Sequence, residues 1–161
     1  MAKSRILIAG IGNIFRGDDG FGVAVAHRLA QCGLPVEVRL VDFGIRGFDL
    51  AYALMDDLEL AILVDAVTLG GPPGTLYVVE PALDDPAKPS EPCETHGMNP
   101  GSVFRMVQAT GRKLPPLRLV GCEPATLGSD EDIALGLSEV VQARVDEAAR
   151  IVEKLVADAL A

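Results

Sequence analysis

Directly behind its first apolar run, Ile6-Leu7-Ile8-Ala9, the chain reads Gly10-Ile11-Gly12-Asn13-Ile14-Phe15-Arg16-Gly17-Asp18-Asp19-Gly20-Phe21-Gly22. A buried strand, a glycine-rich loop and a helix in that order point to an α/β unit. The loop starts like a phosphate cradle. A dinucleotide fingerprint, however, needs glycine at the sixth position of Gly-x-Gly-x-x-Gly, where Phe15 stands. Phosphate also wants helix-terminal N–H groups and positive charge, and the adjacent Asp18 and Asp19 would repel it. A cation is the better guest.

The same alternation continues along the chain. Arg5–Ala9 reads as a buried strand, and the helix from Asp19 to about Cys32 is stopped by Gly33 and Pro35. Val36–Val41 is a second strand, Gly47–Met55 a short helix, and Glu59–Val64 an apolar strand ending at Asp65. Thr75–Val79 follows a Gly-Gly-Pro-Pro-Gly turn. The linker Ala66–Gly74 is shorter than the ~10–12 residues of a crossover, so this strand should run antiparallel at a sheet edge.

Glu80–Thr95 is proline-rich, acidic and without periodicity. Asn99-Pro100 starts a helix that ends near Gly111, with Asn as N-cap and Pro at the first helical position. Leu117–Gly121 is a further buried strand. Ser138–Leu160 is the longest amphipathic helix, with Asp146 and Arg150 spaced as an i,i+4 pair. With 161 residues, no repeat and no dividing linker, residues 1–161 should form one α/β domain. Its sheet should be mostly parallel and covered on both faces.

The net charge of -9 argues against nucleic acid and favours a small-molecule, metal or basic-peptide partner. No apolar run approaches the ~20 residues of a membrane span. The N-terminus lacks a signal-peptide core, which places the expected location in the cytoplasm. Cys32, Cys93 and Cys122 contain no C-x-x-C pair, so neither a disulfide framework nor a zinc ribbon is expected.

Ligands of open α/β sheets bind outside the carboxyl ends of the strands. Asp19, Asp65 and His96 map to that edge. Two carboxylates and an imidazole suit a divalent ion such as zinc, nickel or manganese. Each also has a plainer reading. Asp18 or Asp19 could cap the following helix, Asp65 could simply end a strand, and a loop histidine is more often solvated than ligating. Against the second, an aspartate behind an apolar strand needs a partner or a metal. Cys122 paired with His96 would be a thiol nucleophile, although a small buried hydrophobe is the simpler reading. Cys93 is a further soft ligand candidate, and His27 is a surface or partly buried residue.

The segment Gly10-x-Gly12-Asn13-x-x-x-x-Asp18-Asp19-x-x-Gly22, Asp65 after an apolar strand, and His96 before a helix together resemble the hydrogenase maturation endopeptidases. Gly121-Cys122-Glu123-Pro124 also looks like that family's Gly-x-x-Pro turn. The resemblance spans nearly the whole chain. It implies a three-layer sandwich, with helices on both faces of a twisted sheet of about five strands. It further implies that Asp19, Asp65 and His96 are both the metal-binding trio and the catalytic residues. The implied reaction removes the C-terminal extension of a nickel–iron hydrogenase large-subunit precursor after nickel insertion.

Two departures stand out. Some members carry Glu at the position of Asp19. Many read Asp-Gly-Gly-Thr where this chain has Asp42-Phe43-Gly44-Ile45, which sets a phenylalanine where substrate backbone could pass.

The trio allows two mechanisms: a bound divalent ion activates water, or the trio grasps nickel already held by the precursor. With no His-Glu-x-x-His present, the second is preferred, the nickel being supplied by the substrate. The competing functions are a nucleotide-binding enzyme using Gly10, Gly12 and Asp42, and a non-enzymatic nickel-binding assembly factor.

Overall fold

The computed structural model describes residues 3–81, 99–128 and 133–161. Among them, β1 (Ile6–Ile11), β2 (Val38–Gly44), β3 (Leu60–Ala66), β4 (Leu76–Val79) and β5 (Leu117–Cys122) form one sheet in the order β2-β1-β3-β5-β4. β1, β2, β3 and β5 run parallel. β4 lies antiparallel on β5 at the edge, Leu76 opposite Cys122 and Val79 opposite Leu119, as its short linker requires.

The strand side chains alternate between two apolar layers. Ile6, Ile8, Ile62, Val64, Val120 and Cys122 pack against α1 (Phe21–Leu29), α4 (Glu139–Gln142) and α5 (Val145–Leu160). Leu7, Ala9, Ile11, Ala61, Leu63 and Leu117 pack against α2 (Gly47–Leu54) and α3 (Pro100–Ala109). The three-layer α/β sandwich is thus the observed fold. Among the described residues no helix is long and apolar enough to cross a membrane.

Two glycines let α1 settle on the sheet. A Cβ on Gly22 would collide with the carbonyl oxygens of Val64 and Ile11, and one on Gly10 would stand 2.7 Å from the Cβ of Ala26. The helix axis therefore lies against β1 and β3 more closely than side chains would permit. Asn99 caps α3 as its sequence suggests, accepting from the Gly101 N–H at 2.9 Å.

Several boundaries differ from the sequence reading. α1 is preceded by a single 3-10 turn, Gly17–Gly20, which carries both Asp18 and Asp19. The C-terminal helix breaks at Ala143–Arg144 into α4 and α5. Asp146 pairs with Arg28 across α1 and α5 at 2.9 Å rather than with Arg150. β2 starts two residues later than expected and continues through Asp42-Phe43-Gly44.

The pairing of β1 and β2 slips between Gly10 and Ile11, leaving Phe43 without a partner on β1. The Phe43 ring is 2% exposed, in the α2/α3 layer, with the Arg46 guanidinium 5.9 Å from its centroid. It is core and does not stand in a substrate path.

Gly22→Ala should destabilise the protein by about 3 kcal/mol or more, at the upper end of overpacking, because the obstacles are backbone carbonyls that no rotamer can move aside. Urea titration of the purified variant measures this. A loss below about 1 kcal/mol would mean that α1 can lift off the sheet cheaply.

Candidate active site

The chain leaves β1 through Gly12, whose φ of 140° favours glycine. The Gly12 N–H donates to the Gly44 carbonyl at the end of β2 (2.9 Å). A Cβ at Gly12 would meet the Asp19 carbonyl and lie 3.7 Å from Asp65 Oδ1. The absent side chain therefore lets the returning 3-10 turn bring Asp19 beside Asp65.

Neither aspartate of that turn caps a helix. Asp19 Oδ2 accepts from the Asn13 N–H at 2.8 Å and closes the loop on itself. Asp18 is fully buried and reaches across to the chain beyond β5. Its carboxylate accepts from the N–H groups of Ala125 (2.8 Å), Thr126 (3.1 Å) and Ser138 (2.7 Å), and from Ser138 Oγ (2.8 Å). Burial pushes its pKa upward, but the donors outweigh burial and hold it below the ordinary value. Backbone bonds from Gly17 to Ala134 and from Asp18 to Thr126 strengthen the same seam.

Glu123 is a second buried carboxylate of this kind. Its Oε1 accepts from Leu69 N–H (2.9 Å), Gly71 N–H (3.0 Å) and Tyr77 Oη–H (2.9 Å), fixing the loop after β3. Burial is again opposed and outweighed by these donors, and its pKa is lowered. The sequence reading did not single it out. Its signal was a glutamate directly behind a buried strand.

Asp65 is different. It is 7% exposed, in the penultimate position of β3 opposite Gly121. Among the described residues its carboxylate accepts one hydrogen bond, from the N–H of the next residue, Ala66, at 2.8 Å. Burial, and then the negative charge of Asp19, drive its pKa well above the ordinary value. A carboxyl so placed holds a proton or waits for a cation.

The structure thus brings Asp19 and Asp65 together. His96 and Cys93 lie outside the described residues. Among the described residues no three His, Cys, Asp or Glu side chains gather closely enough to hold a metal ion.

Cys122 is fully buried, and burial followed by the charge of Asp18 raises its pKa to about 11. It is therefore a protonated core residue and a poor nucleophile. Asp42 is paired with His27, whose Nε2 lies 3.0 Å from Asp42 Oδ2. Both are partly exposed, and among the described residues Asp42 forms no three-residue cluster with Asp19 and Asp65.

The hydrogenase maturation protease family model matches residues 23–155. The chain is 35% identical over 147 residues to the hydrogenase expression/formation protein HupD of Rhodobacter capsulatus, covering 88% of this chain and 66% of that relative. It is 32% identical over 154 residues to a putative hydrogenase maturation protease of Methanocaldococcus jannaschii, covering 94% and 96% of the two chains.

Among solved structures, the hydrogenase maturating endopeptidase HybD of Escherichia coli superposes with a TM-score of 0.74 at 29% identity, over 92% of this chain and 89% of that one. The hydrogenase maturation protease HycI of Thermococcus kodakarensis gives 0.69 at 30%, over 95% and 92%. The chain belongs to the hydrogenase maturation protease family. It is accordingly an endopeptidase of hydrogenase large-subunit processing, and neither the nucleotide-binding nor the assembly-factor reading is favoured.

The buried carboxylates predict opposite pH responses. Native Asp65 binds its proton more tightly than the unfolded chain, whose Asp titrates near ~3.9. Wild-type stability should therefore fall as pH rises from about 4 through the raised native value. In chelator-treated protein, Asp65→Asn should raise Tm at pH 7.5, by about 2–4 °C for each kcal/mol recovered, and the gain should vanish near pH 4.

Native Asp18 is lowered, so its stabilisation is present above ~4 and is lost as pH falls through the native value. Asp18→Asn should lower Tm at pH 7.5 and flatten the acid limb. Melting curves between pH 3 and 8 check both signs.

Proposed function

We propose that this endopeptidase removes the C-terminal extension of a nickel–iron hydrogenase large-subunit precursor after nickel insertion, and that Asp19, Asp65 and His96 read the nickel carried by that substrate. The observation that carries this reading is the Asp19–Asp65 pair. A buried carboxyl with one hydrogen bond among the described residues and a second acid beside it suits a cation, set at the carboxyl edge of the sheet.

His96 supplies the third donor of the trio. It precedes Asn99 by three residues, so about 10 Å of chain at most tethers it to the start of α3. α3 packs on the same sheet face to which Leu63, two residues before Asp65, is directed. Imidazole and carboxylate donors together suit nickel, zinc and other divalent ions.

In this reading the nickel is cargo of the substrate, and the protease contributes ligand groups and a water-positioning base. Asp19 or Asp65 accepts a proton from the attacking water. The water oxygen bonds to the scissile carbonyl carbon, and the proton passes to the leaving amine as the C–N bond breaks. This makes the enzyme an aspartic-type peptidase in its chemistry and an activator of the hydrogenase in its effect. Cleavage awaits metal loading because only the loaded precursor offers the trio something to hold. A divalent ion resident on the same trio would instead supply Lewis acidity to the same hydrolysis. The working location is the cytoplasm, with neither a nucleic-acid nor a membrane partner.

Incubation of purified protein with precursor, with and without nickel, followed by mass spectrometry, tests the reading. A shortened large subunit is expected only with nickel. Nickel-independent cleavage, or no cleavage, would refute it.

In the same assay His96→Ala and Asp19→Asn should each lower the rate by about 100-fold or more while melting cooperatively. Cys122→Ser should stay within about two-fold of wild type, in keeping with its protonated thiol. Loss of cleavage in a folded Cys122→Ser variant would revive the thiol mechanism.

A further inference from the structure

The chain has five phenylalanines, two tyrosines and no tryptophan. Phe21, Phe43 and Phe104 are buried, and Tyr77 is bonded to Glu123. The remaining three, Phe15, Phe48 and Tyr52, are 52%, 81% and 79% exposed. A chain so poor in aromatics leaves nearly half of them in water, in the segments that follow β1 and β2. Phe48 and Tyr52 are four residues apart on α2 and share one face of the helix. The opposite face, with Leu50, Ala51 and Leu54, is buried. Ile45, 54% exposed, continues the stripe upward to the sheet edge.

That stripe joins the active site directly. Gly44, the residue before Ile45, accepts the hydrogen bond from Gly12 that shapes the Asp19 loop. From there Ile45, Phe48 and Tyr52 lead down the outer flank of α2, away from Asp65. β2 is two strand spacings from β3, about 10 Å, so a peptide lying at Asp65 does not also cover Tyr52.

We propose that Ile45, Phe48 and Tyr52 form an exosite that docks an apolar patch on the folded body of the large-subunit precursor, remote from the scissile bond. The proposal rests on the endopeptidase activity, because the substrate must already occupy the edge where the stripe begins. Its size fits that occupant. Two exposed aromatics and an isoleucine supply a few hundred Å2, short of the ~800 Å2 per partner of a stable stand-alone interface. They suit one flank of a contact whose centre is the cleavage site. Exposed aromatics of this kind are the side chains that dominate protein–protein contacts.

The test compares wild type with Phe48→Ala/Tyr52→Ala on the cognate nickel-loaded precursor. The expected result is a KM raised about ten-fold or more with kcat within two-fold, because the variant leaves the cleavage chemistry in place. Phe48→Tyr/Tyr52→Phe should restore the wild-type KM.

A second arm measures precursor binding by calorimetry in an Asp19→Asn background, where adding the two alanine substitutions should weaken Kd by at least ten-fold. An unchanged KM and Kd would overturn the exosite. So would a halved solution mass for the double variant with unchanged KM, which would mark the stripe as a self-association face. Absence of cleavage by the wild type would instead refute the activity, while the binding arm still decides the exosite.

Discussion

The contact between α1 and the sheet governs what the rest of the molecule can do. Gly22 lies against the carbonyls of Val64 and Ile11, and Gly10 lies under Ala26. With the helix this close, the chain between β1 and α1 has to fold back over Gly12 in a 3-10 turn, and Asp19 arrives next to Asp65. The glycines that look like a phosphate cradle thus serve backbone packing. Their spacing sets the separation of two carboxylates, one on the turn after β1 and one at the end of β3, and a Cβ at Gly10, Gly12 or Gly22 would disturb it.

Among the described residues three buried acids surround this edge, and their hydrogen bonds set two of them apart from the third. Asp18 and Glu123 each receive several donors, which offset the cost of burial and hold both charges down. They tie the loops after β1, β3 and β5 to one another, so the edge is built on fixed segments. Asp65 sits at the same edge with, among the described residues, a single donor and a neighbouring negative charge. An unpaired buried charge typically costs about 3–5 kcal/mol, more than most single contacts return. Folding tolerates Asp65 because a proton removes that charge, and in the proposed function a cation on the substrate would take the proton's place.

Much of this was legible in the residues, for physical reasons. The antiparallel placement of Thr75–Val79 followed from chain length, since no crossover helix fits into Ala66–Gly74. Asp65 was legible because a carboxylate behind an apolar run has few ways to be satisfied.

The division of labour between Asp18 and Asp19 was not legible. Local spacing suggests capping for either, whereas Asp18's donors come from residues more than 100 positions away. The same non-locality hid Glu123, whose partners lie on the β3–β4 segment, and the pairing of Asp146 with Arg28. Phe43 was misread because a slip in register cannot be seen in one strand alone. It is the strand opposite that turns this ring into the core.

The pairing of a frustrated carboxyl with an exposed aromatic stripe has a kinetic consequence. A site that gains its affinity from a cation on the substrate discriminates loaded from unloaded precursor only by the free energy of that one contact. A remote apolar contact adds equally to both forms and leaves the discrimination unchanged, but it raises the time the two proteins spend together. With the exosite and the metal-reading trio as proposed, recognition of the protein and recognition of its metal are carried by separate surfaces that meet at Gly44. Substitutions on α2 then shift how much precursor is held. Substitutions at Asp19 or Asp65 remove the reading of the metal and the cleavage with it.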